Sequence, residues 1–364
     1  MRCFRCFSCL PKIALVACVV SVAIVDFVAL IRRIMAEITT NEIKEYLLRI
    51  QGQKTSLRDL RSEFQILPGT KSFDAIRNIM FKLIDQKIVR PTAKGEYKVI
   101  RQVQPIRVFG SQRRPPISIN FPKDFDSEIE MCFAEDLIIR EGDLILLSGM
   151  SNYGKTALCL HFAGENIDKE PVLMGNEYTT LDNAPSSRFL HRLDAMNWVQ
   201  WYNDDGDNFV LLPVRGDYAE HIVKDKINII DWINIDTGEH YLIGSLMESI
   251  KRELGKGVAI IAIQKAEGAV AGRGGQFTKD FADVEILLDK MQNSDEVLLS
   301  LGKVKESKRT VMGRTFAYAI VGGVKIINFR EVVKCHSCYG KGWVKSGNSS
   351  KPCEGCNRTG YIDR

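Results

Sequence analysis

Only one stretch of the 364 residues, 13–31, stays apolar long enough to approach the thickness of a bilayer, and mean hydropathy is −0.09. That scarcity excludes a polytopic membrane protein. Neither sign of charge dominates, with 50 Lys+Arg against 45 Asp+Glu. Hydrophobic residues at 45% and charged residues at 26% exclude a disordered or fibrous chain. The ten cysteines form no secreted-type disulfide framework. The length suits two or three domains.

The mild net charge hides a division. Residues 124–330 carry 22 Lys+Arg against 33 Asp+Glu, a net of −11, and the rest carries 28 against 12, a net of +16. Basic appendages on an acidic centre point to a polyanionic partner, nucleic acid above all.

The apolar run is flanked by Arg2, Arg5 and Lys12 before it and by Arg32 and Arg33 after it, so charge bias assigns no orientation. Three readings of residues 1–34 stay open. They are a single-pass membrane anchor, an upstream mistranslation ahead of a start at Met35, or a signal peptide, for which no small-x-small site is visible.

Residues 35–100 predict three helices and a hairpin. Thr39-x-x-Glu42 is a capping box, Ser56 caps a second helix, and Ser72 begins a third with Phe73, Ile76, Met80, Leu83 and Ile84 on one face. A Lys94-Gly95 turn joins two short strands. The pattern resembles a winged helix-turn-helix. The third helix then reads DNA, with Arg77, Lys82, Arg90 and Lys94 as the candidate phosphate contacts. Protein docking is the alternative use of such a module. Residues 101–127 read as a basic linker; from 101 to 123 they hold no acid, four Arg and four Pro.

Leu144-Ile145-Leu146-Leu147-Ser148 is a buried-strand run. It feeds Gly149, Met150, Ser151, Asn152, Tyr153, Gly154, Lys155 and Thr156, and then an apolar helix. This is G-x-x-x-x-G-K-[ST] in its strand–loop–helix setting. Backbone N–H groups and the helix N-terminus favour phosphates, Lys155 reaches the β- and γ-phosphates, and the Thr156 hydroxyl holds Mg²⁺. ATP and Mg²⁺ are the cofactors expected, and a P-loop argues for a reducing, cytoplasmic setting.

The ordered segments across residues 128–330 resemble the RecA-like ATPases, most closely the motor domain of replicative hexameric helicases of the DnaB type. PVLMGNEYTT matches their second strand, INIIDWINI the third, VAIIAIQK the fourth, GRGGQFTKDFADVEILLDK the loop and strand after it, and GKVKESKRTVMGRTFAYAI a late hairpin. The resemblance implies Glu177 as the catalytic carboxylate, Asp231 as the second Mg²⁺ residue and Gln264 as the γ-phosphate sensor. It also implies Lys265 and Arg273 in a loop gripping single-stranded DNA. Lys303, Lys305, Lys308 and Arg309 are its candidates for a finger acting on a neighbouring subunit. The family's Lys-x-Arg is Lys303-x-Lys305 here, which leaves the finger's identity open, and Trp232 replaces the usual Tyr or Ser. Plain readings stand beside these: Glu177 as a turn acid, Asp231 as structural, the finger cations and the loop as solvated surface.

Cys335-x2-Cys338-x14-Cys353-x2-Cys356 has structural zinc spacing. The first knuckle fits the C-x-x-C-x-G-x-G repeat of DnaJ-type zinc domains, while the second has Arg358 at its first glycine. The fold class is therefore α/β: a RecA-like P-loop NTPase core at 128–330, a small winged-helix domain and a C-terminal zinc ribbon at 331–364. The expected function is an ATP-hydrolysing, nucleic-acid-dependent motor or DNA-remodelling ATPase in replication or recombination, working as a ring or filament of identical subunits with replication or recombination proteins as partners. A RecA-like regulatory switch and a recombinase-type filament are the alternatives.

Overall fold

The computed structural model describes residues 38–105, 107–109, 115–233, 242–265, 272, 275–346 and 349–364. The 13–31 run, Met35 and Arg273 lie outside the described residues. Among the described residues no helix is long and apolar enough to cross a membrane. The chain divides into two compact units, 1–112 and 113–364.

In the first unit, α1 (Thr40–Arg49) opens on the expected capping box. The Glu42 N–H donates to the Thr39 hydroxyl at 3.3 Å, and the Thr39 N–H donates to the Glu42 carboxylate at 2.8 Å. Two donors that no helical carbonyl can reach are thereby satisfied. Then come β1 (Lys54–Ser56), α2 (Leu57–Glu63) with a second box between Ser56 and Asp59, and α3 (Lys71–Asp85). Helix α3 starts after Thr70, not at Ser72, whose hydroxyl accepts the Ile38 N–H at 3.2 Å. Its Ile76, Ile79, Met80 and Leu83 form one stripe, buried against Ile43, Leu47 and Leu60. Each such side chain contributes roughly 1.5–3 kcal/mol. The hairpin of β2 (Val89–Ala93) and β3 (Glu96–Val99) gains β1 as a third strand, in the order β1-β3-β2. The order helix–strand–helix–helix–hairpin agrees with the expected three helices and hairpin, and the third strand escaped the sequence reading because three residues carry too short a period to detect.

The second unit begins before the expected end of the linker. Ile117, Ile119 and Phe121 alternate with polar residues, so one side of this segment packs on the core, and Phe121 meets Phe133 and Phe162 edge to face. Strand β4 (Leu144–Gly149) leads to α4 (Lys155–Glu165), β5 (Val172–Met174) and α5 (Ser187–Ala195). A small hairpin of β6 (Tyr202–Asn203) and β7 (Gly206–Asp207) precedes β8 (Val210–Leu212), β9 (Ile227–Ile233), α6 (Leu242–Glu253) and β10 (Val258–Gln264). Next are α7 (Gln276–Phe281), β11 (Val284–Lys290), β12 (Val297–Val304), β13 (Thr315–Val321) and β14 (Lys325–Lys334). The hairpin β15 (Trp343–Ser346) and β16 (Ser349–Pro352) and then β17 (Tyr361–Asp363) end the chain.

One ten-stranded sheet runs β17-β14-β13-β12-β11-β4-β10-β9-β5-β8. From β11 to β8 it is parallel, and β12, β13, β14 and β17 extend it antiparallel. Strand β4 is apolar from Leu144 to Leu147 because both faces are covered: Ile145 and Leu147 enter one core cluster, Leu144 and Leu146 the other. The fold is α/β, a mixed sheet whose parallel part is built by strand–helix–strand crossovers. Because β10 is inserted between β4 and β9, the ends of all three meet at one edge, at the switch point where open α/β sheets hold ligands. The cysteine ribbon is an excursion from this sheet: β14 runs on to Lys334, and β17 returns to pair with Val332–Lys334.

Candidate nucleotide and metal sites

Gly154 precedes α4 with φ +83°, and a Cβ there would collide with Ile320 of β13, so the P-loop needs glycine at this turn. Lys155 is buried and its ammonium donates to the Gly149 and Met150 carbonyls at 2.9 and 2.7 Å. Burial pulls its pKa below the ordinary lysine value, and the Asp231 and Glu177 carboxylates oppose that pull. Tyr153 packs against the core instead of lining the cleft.

Gly175, with φ +128°, has no room for a Cβ against the backbone of Asp231. The chain after β5 therefore passes flush against β9, and the Glu177 N–H donates to the Asp231 carbonyl at 3.3 Å. Asp231 is fully buried beside Thr156, and neither carboxylate oxygen has a hydrogen bond of ordinary geometry. Burial pushes its pKa up to about 7; the Thr156 hydroxyl lowers it, and Glu177 adds to the rise. An orphaned carboxylate next to a threonine hydroxyl fits a divalent cation, because such a group is costly until a cation meets it. Gln264, at the end of β10, donates to the Ser151 hydroxyl at 3.2 Å. Ser151, Lys155, Thr156, Glu177, Asp231 and Gln264 share one cleft of about 390 Å³.

Helix α5 brings two residues that the sequence reading did not single out. Arg188 and Arg192 line the same cleft, and Arg192 Nη1 stands 3.8 Å from a Glu177 carboxylate oxygen. Their spacing of four, behind a Ser186 cap that accepts the Phe189 N–H at 3.2 Å, was the available signal. Gly323, in the β13–β14 turn, also lines the cleft, and the neighbouring Val324 carbonyl is 2.6 Å from His161 Nε2 of α4.

Two other groups stand elsewhere. Lys265, expected on the DNA-gripping loop, is buried and paired with Asp289 of β11, so its ammonium is not free to meet a phosphodiester; two strands away, β11 supplies the carboxylate that draws it inward. Its expected companion Arg273 is outside the described residues. The finger candidates sit at the far end of the sheet. Lys305 pairs at 2.9 Å with Asp283, which also accepts the N–H of Leu144, the first residue of β4. The P-loop lies at the other end of β4, about 17 Å away at ~3.3 Å per residue. Lys303 donates to the Lys279 and Asp280 carbonyls, Lys308 to that of Glu135, and Arg309 is 3.6 Å from Asp136. None of the four reaches this chain's own cleft.

The four C-terminal cysteines converge, with their sulfurs all within 4.8 Å of one another. Cys335–Cys353 and Cys338–Cys356 are 3.8 and 3.6 Å apart. A tetrahedron with Zn–S near 2.3 Å has edges of about 3.8 Å, so the donor set fits Zn²⁺ with no open position. The Gly342 and Gly360 N–H groups donate to the Cys338 and Cys356 sulfurs at 3.2 and 3.3 Å, which favours thiolates. In the first unit, Arg77, Lys82, Arg90 and Lys94 are all exposed.

No family model and no curated protein matches this chain. Among solved structures it is similar to a KaiC-like protein from the hyperthermophilic archaeon Pyrococcus horikoshii, at 17% identity and a TM-score of 0.41, over 58% of this chain and 97% of that one.

Proposed function

We propose that this protein is a Mg²⁺-dependent ATPase of the RecA and helicase type that couples hydrolysis to work on DNA, as a motor or a remodelling ATPase in replication or recombination, assembled as a homo-oligomer. One observation carries the reading: Lys155, Thr156, Asp231, Glu177 and Gln264, brought from four separate strand ends, share a single cleft. Lys155 exchanges the Gly149 and Met150 carbonyls for the β- and γ-phosphates. Thr156 and Asp231 would hold Mg²⁺, which would supply positive charge against the phosphates. Glu177 orients the attacking water and takes its proton. Gln264 senses the γ-phosphate, because its amide both donates and accepts, and it leads directly into the loop after β10.

The test is the ATPase rate with and without single-stranded DNA. Stimulation supports a nucleic-acid motor. The buried Lys265 favours a second reading, a regulatory switch whose DNA contact lies in the winged helix alone; a rate that never responds to single-stranded DNA selects it.

A further inference from the structure

The two zinc knuckles share a backbone pattern after their second cysteine, which makes one difference there informative. In the first, Tyr339 and Gly340 follow Cys338 with φ +53° and +84°; in the second, Asn357 and Arg358 follow Cys356 with φ +47° and +69°. The second knuckle thus holds an arginine in the left-handed conformation where its twin has glycine. That conformation is strained for a residue that bears a side chain. The exposed Arg358 guanidinium lies over the Trp343 ring at 4.9 Å. Trp343 is 42% exposed and Tyr339 is 78% exposed. Lys345 shares the Trp343 face of β15 by strand period, and Lys341 and Lys351 are exposed nearby.

Charge on this module is one-sided. Of its three acids, Glu331 is held by Arg314 and Arg364 and Asp363 by Arg330, which leaves Glu354. We infer that the ribbon face bearing Trp343, Arg358 and Lys345 binds single-stranded nucleic acid, bases stacking on the indole–guanidinium pair and lysines meeting phosphates. Aromatic faces joined to exposed cations suit a strand with exposed bases. A duplex hides its base faces, and an acidic peptide has none. The inference rests on the nucleic-acid reading above but fails separately from it, since ribbon binding needs no ATP.

The experiment uses the full chain without nucleotide and an oligothymidylate containing 4-thiothymidine. Photocrosslinks should map to residues 339–358. Arg358→Gly removes the left-handed strain, so it should keep its zinc and not lower the melting temperature. Its crosslinking to the ribbon should nevertheless fall. Trp343→Ala should weaken ribbon crosslinking by roughly 5- to 150-fold, the range of one stacked base. Lys345→Ala should lower the salt slope of binding by about 0.7. Absence of ribbon crosslinks in the wild-type protein, undiminished crosslinking in zinc-replete Arg358→Gly, or equal competition by polyglutamate overturns the proposal.

Discussion

Arg192 Nη1 approaches the Glu177 carboxylate to 3.8 Å, and that nitrogen is buried without a hydrogen bond. A guanidinium with one unbonded nitrogen in this cleft is well placed for charge that would develop during phosphoryl transfer. Arg192→Ala should cut the ATP turnover rate roughly 100-fold or more, and should erode the preference for ATP over ADP in equilibrium binding. Glu177→Gln should keep that preference and lose turnover. Near wild-type turnover in Arg192→Ala would remove it from the machinery.

Asp231 gives a pH signature. Its carboxyl is held near 7 in the fold against an ordinary 3.8. The cost of ionising it in the folded state is absent below the unfolded value, grows as pH rises between the two, and is complete above the folded value. Without Mg²⁺ or nucleotide, Asp231→Asn should therefore melt higher than wild type at about pH 8, with the gap closing toward about pH 4. A gap that does not change with pH in thermal melts contradicts the assignment.

The ribbon should carry one Zn²⁺ per chain. Chelation should unfold it, and because β17 lies beyond the last cysteine, that edge strand should detach as well. Hydrogen exchange should rise across residues 335–363 and stay slow in β4, β9 and β10. Retained protection of β17 after complete zinc removal counts against this coupling.

The finger candidates stand away from their own P-loop, so any role they have is toward a neighbour. Arg309 has 77% of its side chain exposed and stands 3.6 Å from Asp136, so its substitution tests the role with little loss of packing. Specific activity should rise with protein concentration, and mixing Lys155→Ala with Arg309→Ala subunits should recover part of the lost turnover. No recovery in mixtures shown to co-assemble rejects Arg309.

What the sequence alone settled was local. The capping box at Thr39 and Glu42, the P-loop from Gly149 to Thr156 and the cysteine spacing each involve residues within about twenty positions, where helix pitch, glycine freedom and thiolate reach set the geometry directly. The strand apolarity of β4 likewise announced a sheet covered on both faces. Tertiary structure decided what depends on strand order. Lys265 reads as a free loop cation until β11 is found two strands from β10, with Asp289 within its reach. Arg192 stands out only once α5 is laid along the cleft beside Glu177. The reason is common to both: a charge's environment is made by whichever elements pack beside it, and burial and pairing across the sheet are not encoded in its sequence neighbours.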